Sequence, residues 1–499
     1  MSFYTYFFVN QPWWKPLAIV LLLSIIYYLA NITYYLYFHP LSKYPGNKLD
    51  AISRIPHALR CWRGRAPMEM LELHRKYGDI VRVGPQELSF QHPDAWNSIS
   101  GHRIGTGHGN NEKDPRQHTT SQNNLLGASR EKHARFRRAL SHGFSSQAIA
   151  NQQPLINRYI DLLIQRLDER VGQKIDAVAW YNWTTFDIIG DLSLGESFGC
   201  LEQARAHFWV TTFFESVRFF NYSRLLGIFP ELTPLLRFLI SEETVRVAKA
   251  RMEITTQTVE RRQASGRNRP DYIDALMTTK DGVEPLTQTE IIENAALVLI
   301  AGSETTATAL SGATYLLCKH PRVLKKLQDE VRSAFMTESE INLDNVSRLP
   351  YTMAVIKEVL RIYPPTPMSN SRVTPPEGNV ICGEPLPGNT YLNIFQWTSH
   401  HNPKYFADPD LFVPERFLGT DPRYANDNLA MMEPFSVGPR NCIGKNLAYV
   451  EMRLILARIV FNFDFELAPE SDGWMEGQII NTLWEKPPLY ITMSARKQG

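Results

Sequence analysis

Pro16 to Phe38 is an apolar run of 23 residues without a charged side chain, interrupted only by Ser24, Asn31 and Thr33. A helix needs about 20 such residues to cross a bilayer core, so this run predicts a membrane-spanning helix. Trp13 and Trp14 lie at one end and Tyr34, Tyr35 and Tyr37 at the other, as expected of aromatic side chains at the two interfaces. A cleaved signal sequence is the competing reading, but its apolar region is shorter and ends in small residues. This run ends in aromatics. The next segment, His39-Pro40-Leu-Ser-Lys-Tyr-Pro45-Gly46, is punctuated by proline and reads as a stiff, non-helical hinge. Beyond it, more than 400 residues show no repeat, low-complexity linker or boundary. They read as one large, mainly α domain with small β-sheets. The expected division is an anchor over 1–38, a proline-containing hinge over 39–60 and a catalytic domain over 61–499.

The clearest helix of that domain starts at the capping box Thr287-Gln-Thr-Glu290 and runs to about Cys318, where His320-Pro321 stops it. Its segment Ala295 to Ala301 is apolar on every face, the pattern of a helix passing through a core. Immediately afterwards come Gly302-Ser303-Glu304-Thr305-Thr306. An acid and hydroxyls at the centre of a buried helix are costly unless they have partners or a task. Gly302 weakens the helix by about 1 kcal/mol relative to alanine, which predicts the close approach of another body. Lys445 to Phe463 reads as a second long helix. Short extended segments are expected near Ile80–Val83, Ser371–Val373, Val380–Cys382 and Tyr490–Met493.

Charge and cysteine content narrow the function classes. Lys plus Arg number 53 against 51 for Asp plus Glu, a net charge of +2 that gives no electrostatic case for nucleic acid. The five cysteines, Cys61, Cys200, Cys318, Cys382 and Cys442, are far apart with no CxxC pair, as expected of reduced thiols. Only Lys15 precedes the apolar run, whereas Lys43, Lys48, Arg54 and Arg60 follow it. The positive-inside rule then places the body of the protein in the cytosol, and the sequons at Asn182, Asn221 and Asn345 read as chance matches. His400-His401 lacks further ligands at metal spacing. Gly101 to Gly109 lacks the lysine-serine/threonine end of a phosphate loop, and no dinucleotide fingerprint occurs. Electrons for any redox chemistry would come from a partner.

The chemistry concentrates around Cys442, in Phe435-Ser-Val-Gly438-Pro-Arg440-Asn-Cys442-Ile-Gly444. Two glycines let backbone wrap closely around the sulfur, and the helix that follows directs its dipole and free N–H groups toward a thiolate. Such a cysteine suits the axial ligand of a haem iron. A lone cysteine is more often a buried structural thiol, and the surrounding pattern reverses that reading.

The pattern Phe-x-x-Gly-x-Arg-x-Cys-x-Gly resembles the haem-binding signature of cytochrome P450 enzymes, and the rest of the chain resembles that family in the same order. Ala301-Gly302-Ser303-Glu304-Thr305-Thr306 is similar to its oxygen-activation motif. Splitting O2 at a haem requires two protons, and the resemblance implies that Thr305 holds the donor water while Glu304 relays protons from solvent. The alternative has Thr305 bonding its own helix backbone and Glu304 in a structural ion pair. Lys357-Glu358-Val-Leu-Arg361 and Phe412-Val-Pro414-Glu415-Arg416-Phe417 resemble the family's core, which implies a buried Glu358–Arg361–Arg416 triad bracing the cysteine loop. Propionate partners implied in the same way are Arg440, Arg372 and Arg137. His133 stands where the family usually has tryptophan, and Phe435 and Gly444 complete the cofactor-binding set.

The resemblance implies one large cytochrome P450 fold, haem b with Cys442 as the axial iron ligand, and O2 and a lipophilic small molecule as substrates. It also implies an NADPH-dependent flavoprotein reductase as partner and a single-pass position in the endoplasmic reticulum membrane. Tyr37-Phe-His-Pro-Leu and Phe186-Asp-Ile-Ile-Gly190-Asp-Leu-Ser look like microsomal fungal members, most similar to isotrichodermin-type hydroxylases of secondary metabolism. An O2-independent haem-thiolate isomerase or dehydratase would not need Glu304 and Thr305, and a haem sensor would need only the cysteine loop. The basic run Arg130, Lys132, Arg135 and Arg138 is either a solvated helix face or a docking surface for an acidic flavoprotein. The expected pocket lining is the loop around Leu125, Phe208 to Phe220, Leu297 to Ala301, Thr366 to Ser369 and Ile479 to Leu483. The aromatic stretch reads equally as core or membrane-contact surface.

Overall fold

The computed structural model describes residues 14–103, 109–117, 121–212, 227–229, 231, 241–266, 269, 271–277 and 284–496. Helix α1 (Trp14–Thr33) continues through a π-helical turn at Tyr34–Phe38, and no residue of either is buried. Together they form the 25-residue apolar helix that is long enough to cross a membrane. Its hydroxyl and amide side chains are satisfied within the helix, as where Ser24 donates to the Val20 carbonyl at 2.7 Å.

The segment after the anchor departs from the non-helical expectation. A 3-10 turn spans Pro40–Lys43, followed by α2 (Lys48–Ile52) and α3 (Ile55–Trp62). Proline does not prevent this because Pro40 and Pro56 stand in first turns, where the missing N–H would be unpaired anyway. The segment is also docked rather than free. Leu41 is fully buried, the Arg82 N–H donates to the Pro45 carbonyl at 2.8 Å, and Arg60 makes a bidentate pair with the buried Asp50 at 2.8 and 2.7 Å.

Among the described residues, twelve short strands form four small sheets. β1 (Ile80–Gly84) and β2 (Glu87–Phe90) make a hairpin in a five-stranded sheet with β3 (Glu112–Lys113), β5 (Arg372–Val373) and β8 (Tyr391–Asn393), in the order β1-β2-β8-β5-β3. A second sheet pairs β4 (Lys174–Asp176) with β12 (Tyr490–Ala495) and β9 (Phe463–Leu467). The two remaining sheets are hairpins, β6 (Asn379–Ile381) with β7 (Glu384–Leu386), and β10 (Ile479–Asn481) with β11 (Leu483–Glu485). The short extended segments read from the sequence fall on β1, β5, β6 and β12.

The helical layer holds the site. Its site-bearing helices are α4 (Arg130–Ser141), α5 (Ala177–Leu194), α6 (Gln288–Lys319), α7 (Pro350–Ile362) and α8 (Lys445–Asn462). The capping box that starts α6 is formed, with Thr287 Oγ1 accepting from the Glu290 N–H and Glu290 Oε2 from the Thr287 N–H. α6 crosses α5 so closely that a methyl group at Gly302 would lie 2.7 Å from Ile189 Cδ1. That contact is the approach its glycine predicts. The apolar segment of α6 is not enclosed on all sides. Val298 and Leu299 are buried, whereas Leu297, Ala301 and Thr305, spaced four residues apart on one stripe, remain open.

Candidate active site

Cys442 and Thr305 line one cavity of about 210 Å³ together with Thr306, Thr366, Phe435 and Arg440. Residues from the middle of α6 and from the loop before α8 thus meet at a single concave site. The loop is held in shape by its own backbone, with the Cys442 N–H donating to the Phe435 carbonyl at 2.8 Å. Gly438 has φ of +78° and packs against the Ser100 carbonyl with no room for a side chain. Its glycine is therefore needed for the neighbouring chain, not for wrapping the sulfur as the sequence suggests. Gly444 caps α8, and its N–H and that of Lys445 are directed at Cys442 Sγ.

Burial pushes the Cys442 thiol up, while the Gly444 N–H, Arg137, Lys445 and the Lys445 N–H pull it down. The helix start and the nearby cations thus act in the direction the sequence expects, favouring the charged sulfur against burial. A bound metal ion deprotonates a coordinating thiol outright. Arg440, two residues before the cysteine, does not act on the sulfur. It donates to the Ala128 carbonyl at 2.9 Å, and its Nη1 is buried without a partner.

Beside this cavity, and sharing Arg440 with it, lies a second of about 540 Å³ lined by Arg130, His133, Arg137, Arg138, Arg372 and Glu112 among others. Positive charge accumulates here. Burial and then Arg440 lower the Arg372 pKa to about 10. Burial lowers Lys113 well below the ordinary range, with Arg372 and Arg440 adding to it. His133 is lowered to about 3 by burial, Arg440, Lys113, Arg137 and Arg372. A cluster of buried cations that repel one another fits an anionic group in their midst, and two propionates on one edge of a flat macrocycle match that charge. The donor set fits haem, with the sulfur of Cys442 on one side and these side chains at the rim. Arg137, expected at the propionate edge, lines this cavity. Its guanidinium bonds the carbonyl and Oδ1 of Asn441, which fixes the cysteine loop. Lys113 has no signal in the sequence, since a two-residue strand carries no periodicity to mark it.

The Thr305 hydroxyl donates to the Ala301 carbonyl at 2.8 Å. Its hydrogen is thus committed to the helix, as the alternative reading has it, and its lone pairs remain available to accept. Glu304 is buried, with Oε1 bonded to Lys486 Nζ and, at 3.3 Å, to the Thr308 hydroxyl. The ion pair of the alternative reading is therefore formed. Burial raises the Glu304 pKa and Lys486 opposes that rise.

The triad forms with all three side chains fully buried. Arg361 makes two 2.7 Å bonds to Glu358, and Arg416 Nε lies 3.1 Å from Glu358 Oε1. Asp427, absent from the sequence reading, takes the other side of Arg416. Arg361 also donates to the carbonyls of His400, Pro409 and Leu411 at 2.9, 2.6 and 3.0 Å, tying α7 to the approach to the cysteine loop. The His400 ring faces the Arg361 carbonyl and is part of this bracing.

On α4, Arg135 is paired with Glu290 and Glu284 and Arg130 with Glu112, while Arg138 is exposed. Of the expected pocket lining, Thr366 opens on the cysteine cavity. Residues 213–220 of the aromatic stretch lie outside the described residues. Trp209 is core, packed edge-on to Phe186 at 5.9 Å.

Residues 54–493 match the family described as Cytochrome P450. The chain is 41% identical over 488 residues to trichothecene C-15 hydroxylase of Fusarium sporotrichioides, covering 97% of this chain and 99% of that protein. It is 40% identical over 481 residues to averantin hydroxylase of Dothistroma septosporum, covering 95% and 90% respectively. A third relative, cytochrome P450 monooxygenase prhB of Penicillium brasilianum, is 40% identical over 478 residues, with 95% and 97% covered.

Proposed function

This chain belongs to the cytochrome P450 family, and from that premise we propose a membrane-anchored monooxygenase that oxidises a lipophilic secondary metabolite. The substrate class is a terpenoid, polyketide or alkaloid intermediate, and the electrons come from NADPH through a separate flavoprotein reductase. The observation that carries this reading is the shared cavity of Cys442 and Thr305. Proteins of this family bind haem b, which when bound supplies the iron at which O2 is reduced and one oxygen atom is transferred.

The chain's own residues divide the remaining work. Cys442 would hold the haem iron through its sulfur, which the Gly444 and Lys445 N–H groups steady, their hydrogen bonds strengthening as charge on sulfur grows. Arg372, Arg440 and Lys113 hold the propionate edge, with the neutral His133 ring beside them. Arg137 fixes the loop through Asn441 and biases the sulfur toward its charged form. Thr305 accepts a hydrogen bond from the proton-donating water, because its own hydrogen is held by Ala301. Glu304 moves the replacement proton. Ala301 and Leu297, on the same stripe as Thr305, present apolar surface to the substrate and exclude bulk water.

The basic residues after the apolar helix support an endoplasmic reticulum anchor with the body facing the cytosol. Hydroxylases among the relatives support C–H hydroxylation as the reaction type. The test is reconstitution of the full chain with an NADPH-dependent reductase in phospholipid vesicles, offering candidate terpenoid, polyketide and alkaloid intermediates. One O2 and one NADPH consumed per product is the expected stoichiometry. Product formed without O2 uptake would assign an isomerase or dehydratase instead. The reduced protein under carbon monoxide should show the red-shifted Soret band of a thiolate ligand, and Cys442→His should abolish it.

A further inference from the structure

The Glu304 carboxylate is held from outside its own helix by a lysine near the other end of the chain. Lys486 Nζ bonds Glu304 Oε1 and, at 2.5 Å, the Thr308 hydroxyl, and the side chains of both ions are almost fully buried at 3% and 2% exposure. Thr308, one turn along α6, also donates to Oε1 at 3.3 Å. The second carboxylate oxygen, Oε2, is buried without any hydrogen-bond partner. One oxygen is thus doubly occupied and the other unclaimed.

The lysine is not a flexible surface residue that happens to reach inward. It follows β11, and its neighbours on both sides are pinned. Trp484 Nε1 donates to the Pro364 carbonyl at 2.8 Å, and its ring stacks on Tyr363 at 4.6 Å. Trp474 Nε1 donates to the Pro487 carbonyl at 2.8 Å. Two prolines directly after Lys486 stiffen the backbone further. Tyr363, the other titratable group acting on Glu304, is itself fixed by donating to Gln478 Oε1 at 2.6 Å. A buried ion pair contributes little net stability against apolar side chains of the same volume. Fixing geometry and charge state is the better-attested use of such a pair.

We propose that Lys486 is a positioning residue of the proton path, clamping Oε1 of Glu304 so that Oε2 is the one oxygen through which the carboxylate takes up and passes on a proton. Without this cation only the Thr308 hydroxyl opposes the burial that raises the Glu304 pKa, which shifts the carboxyl toward its protonated form. The inference rests on the proposed proton-relay role of Glu304, but the clamp itself is measurable independently of that role.

The test is infrared difference spectroscopy of the full-length holoprotein, reduced and under carbon monoxide, across a pH series. The protonated-carboxyl band of Glu304 is assigned by its loss in Glu304→Gln. In Lys486→Met the midpoint of that band should move up by about one pH unit or more, the size expected on losing an adjacent opposite charge. Lys486→Arg, which restores a cation, should return it toward the wild-type midpoint. Coincident midpoints in wild type and Lys486→Met overturn the clamp. Should Lys486→Met fail to fold, Lys486→Gln, which retains a donor without charge, replaces it and must show the same upward shift. Peroxide released per NADPH oxidised separates the two readings. If Glu304→Gln leaves that ratio unchanged, the relay role fails while a shifted midpoint still upholds the clamp.

Discussion

Lys113 and Arg372 stand directly opposite each other across the β3–β5 pair, two cations in register on one short ladder. Like charges so placed repel, and each is further pressed toward its neutral form by burial. Lys113 donates to the Leu126 carbonyl and Glu112 acts on Arg372, and a further anion beside the two side chains would relieve their repulsion. Lys113→Met should therefore act in opposite directions on two forms of the protein. The haem-free chain should become more stable, by about 0.2–1 kcal/mol for relief of a cross-strand repulsion, while haem is retained less tightly. Thermal unfolding of stripped and loaded protein, with haem loss to an acceptor protein, measures both. Equal stabilisation of the two forms would remove Lys113 from the propionate set.

The Thr305 hydroxyl, held to Ala301 and open to the cysteine cavity, makes a prediction that separates chemistry from binding. Thr305→Ala removes no haem contact of Cys442, so haem content and the carbon monoxide spectrum should be unchanged. Reducing equivalents should instead leave as hydrogen peroxide, and product per NADPH should fall by up to about 10²-fold, the lower range for a positioned acid–base group. Thr305→Ser, which keeps an acceptor, should recover most of the coupling. Tight coupling in the alanine variant would leave Thr305 only the bond to its own helix backbone.

The Glu358 carboxylate accepts from Arg361, Arg416 and the Val413 N–H, the last at 2.9 Å. Glu358→Gln deprives the buried Arg361 guanidinium of its carboxylate, while Arg416 keeps Asp427. Breaking a buried pair from one side costs about 3–5 kcal/mol, and the damage should be read in the cysteine loop that these arginines approach. The expected result is a lower unfolding temperature and a reduced yield of haem-loaded protein. Peroxide release per NADPH in the surviving holoprotein should stay at the wild-type value, because no proton-handling residue is touched.

Two truncations distinguish the anchor from the segment after it. Removing residues 1–38 takes away an exposed apolar helix whose described contact with the body includes the Arg82 bond to the Tyr35 carbonyl at 2.7 Å. The remaining protein should fold and bind haem with much weaker membrane association. Removing residues 1–60 also deletes the fully buried Leu41 and the Arg60–Asp50 pair, leaving a hole against the five-stranded sheet. That product should aggregate. Flotation with vesicles and haem content of the soluble fraction decide both cases.

The legible parts of this protein were those written in local pattern. The α6 capping box, the start of α8 and the stop at His320-Pro321 lie where the sequence places them, because caps and breakers act within a few residues. The open stripe Leu297–Ala301–Thr305 could be expected only from the family resemblance, not from the pattern of α6 itself. An apolar run looks the same whether it faces core or cavity, and only tertiary packing separates them. The 3-10 turn at Pro40–Lys43 was missed because proline was read as a breaker without asking which turn it occupies. Lys113, Asp427 and Lys486 escaped for a different reason. Each acts on a site residue supplied by another part of the chain, and no sequence spacing encodes a partner that arrives through folding.

Glu451 gives the clearest pH signature. It lies on α8, is 1% exposed, and neither carboxyl oxygen has a partner at hydrogen-bond distance. Burial pushes its pKa up to about 8, with Thr306 pulling the other way. The unfolded chain releases this proton near the ordinary value of 4.5, so between about 4.5 and about 8 the folded form holds a proton that the unfolded form has lost. The stabilisation is complete below the lower value and declines as pH rises, by at most about 1.4 kcal/mol per pH unit. Above about 8 the carboxylate is charged in both forms, and the contribution is gone. Glu451→Gln keeps the shape and removes the titration. Its unfolding temperature should match wild type near pH 5 and exceed it increasingly toward pH 8 to 9, about where the carboxylate ionises. Parallel curves for the two proteins over that range would mean that Glu451 finds a charge partner once haem is in place.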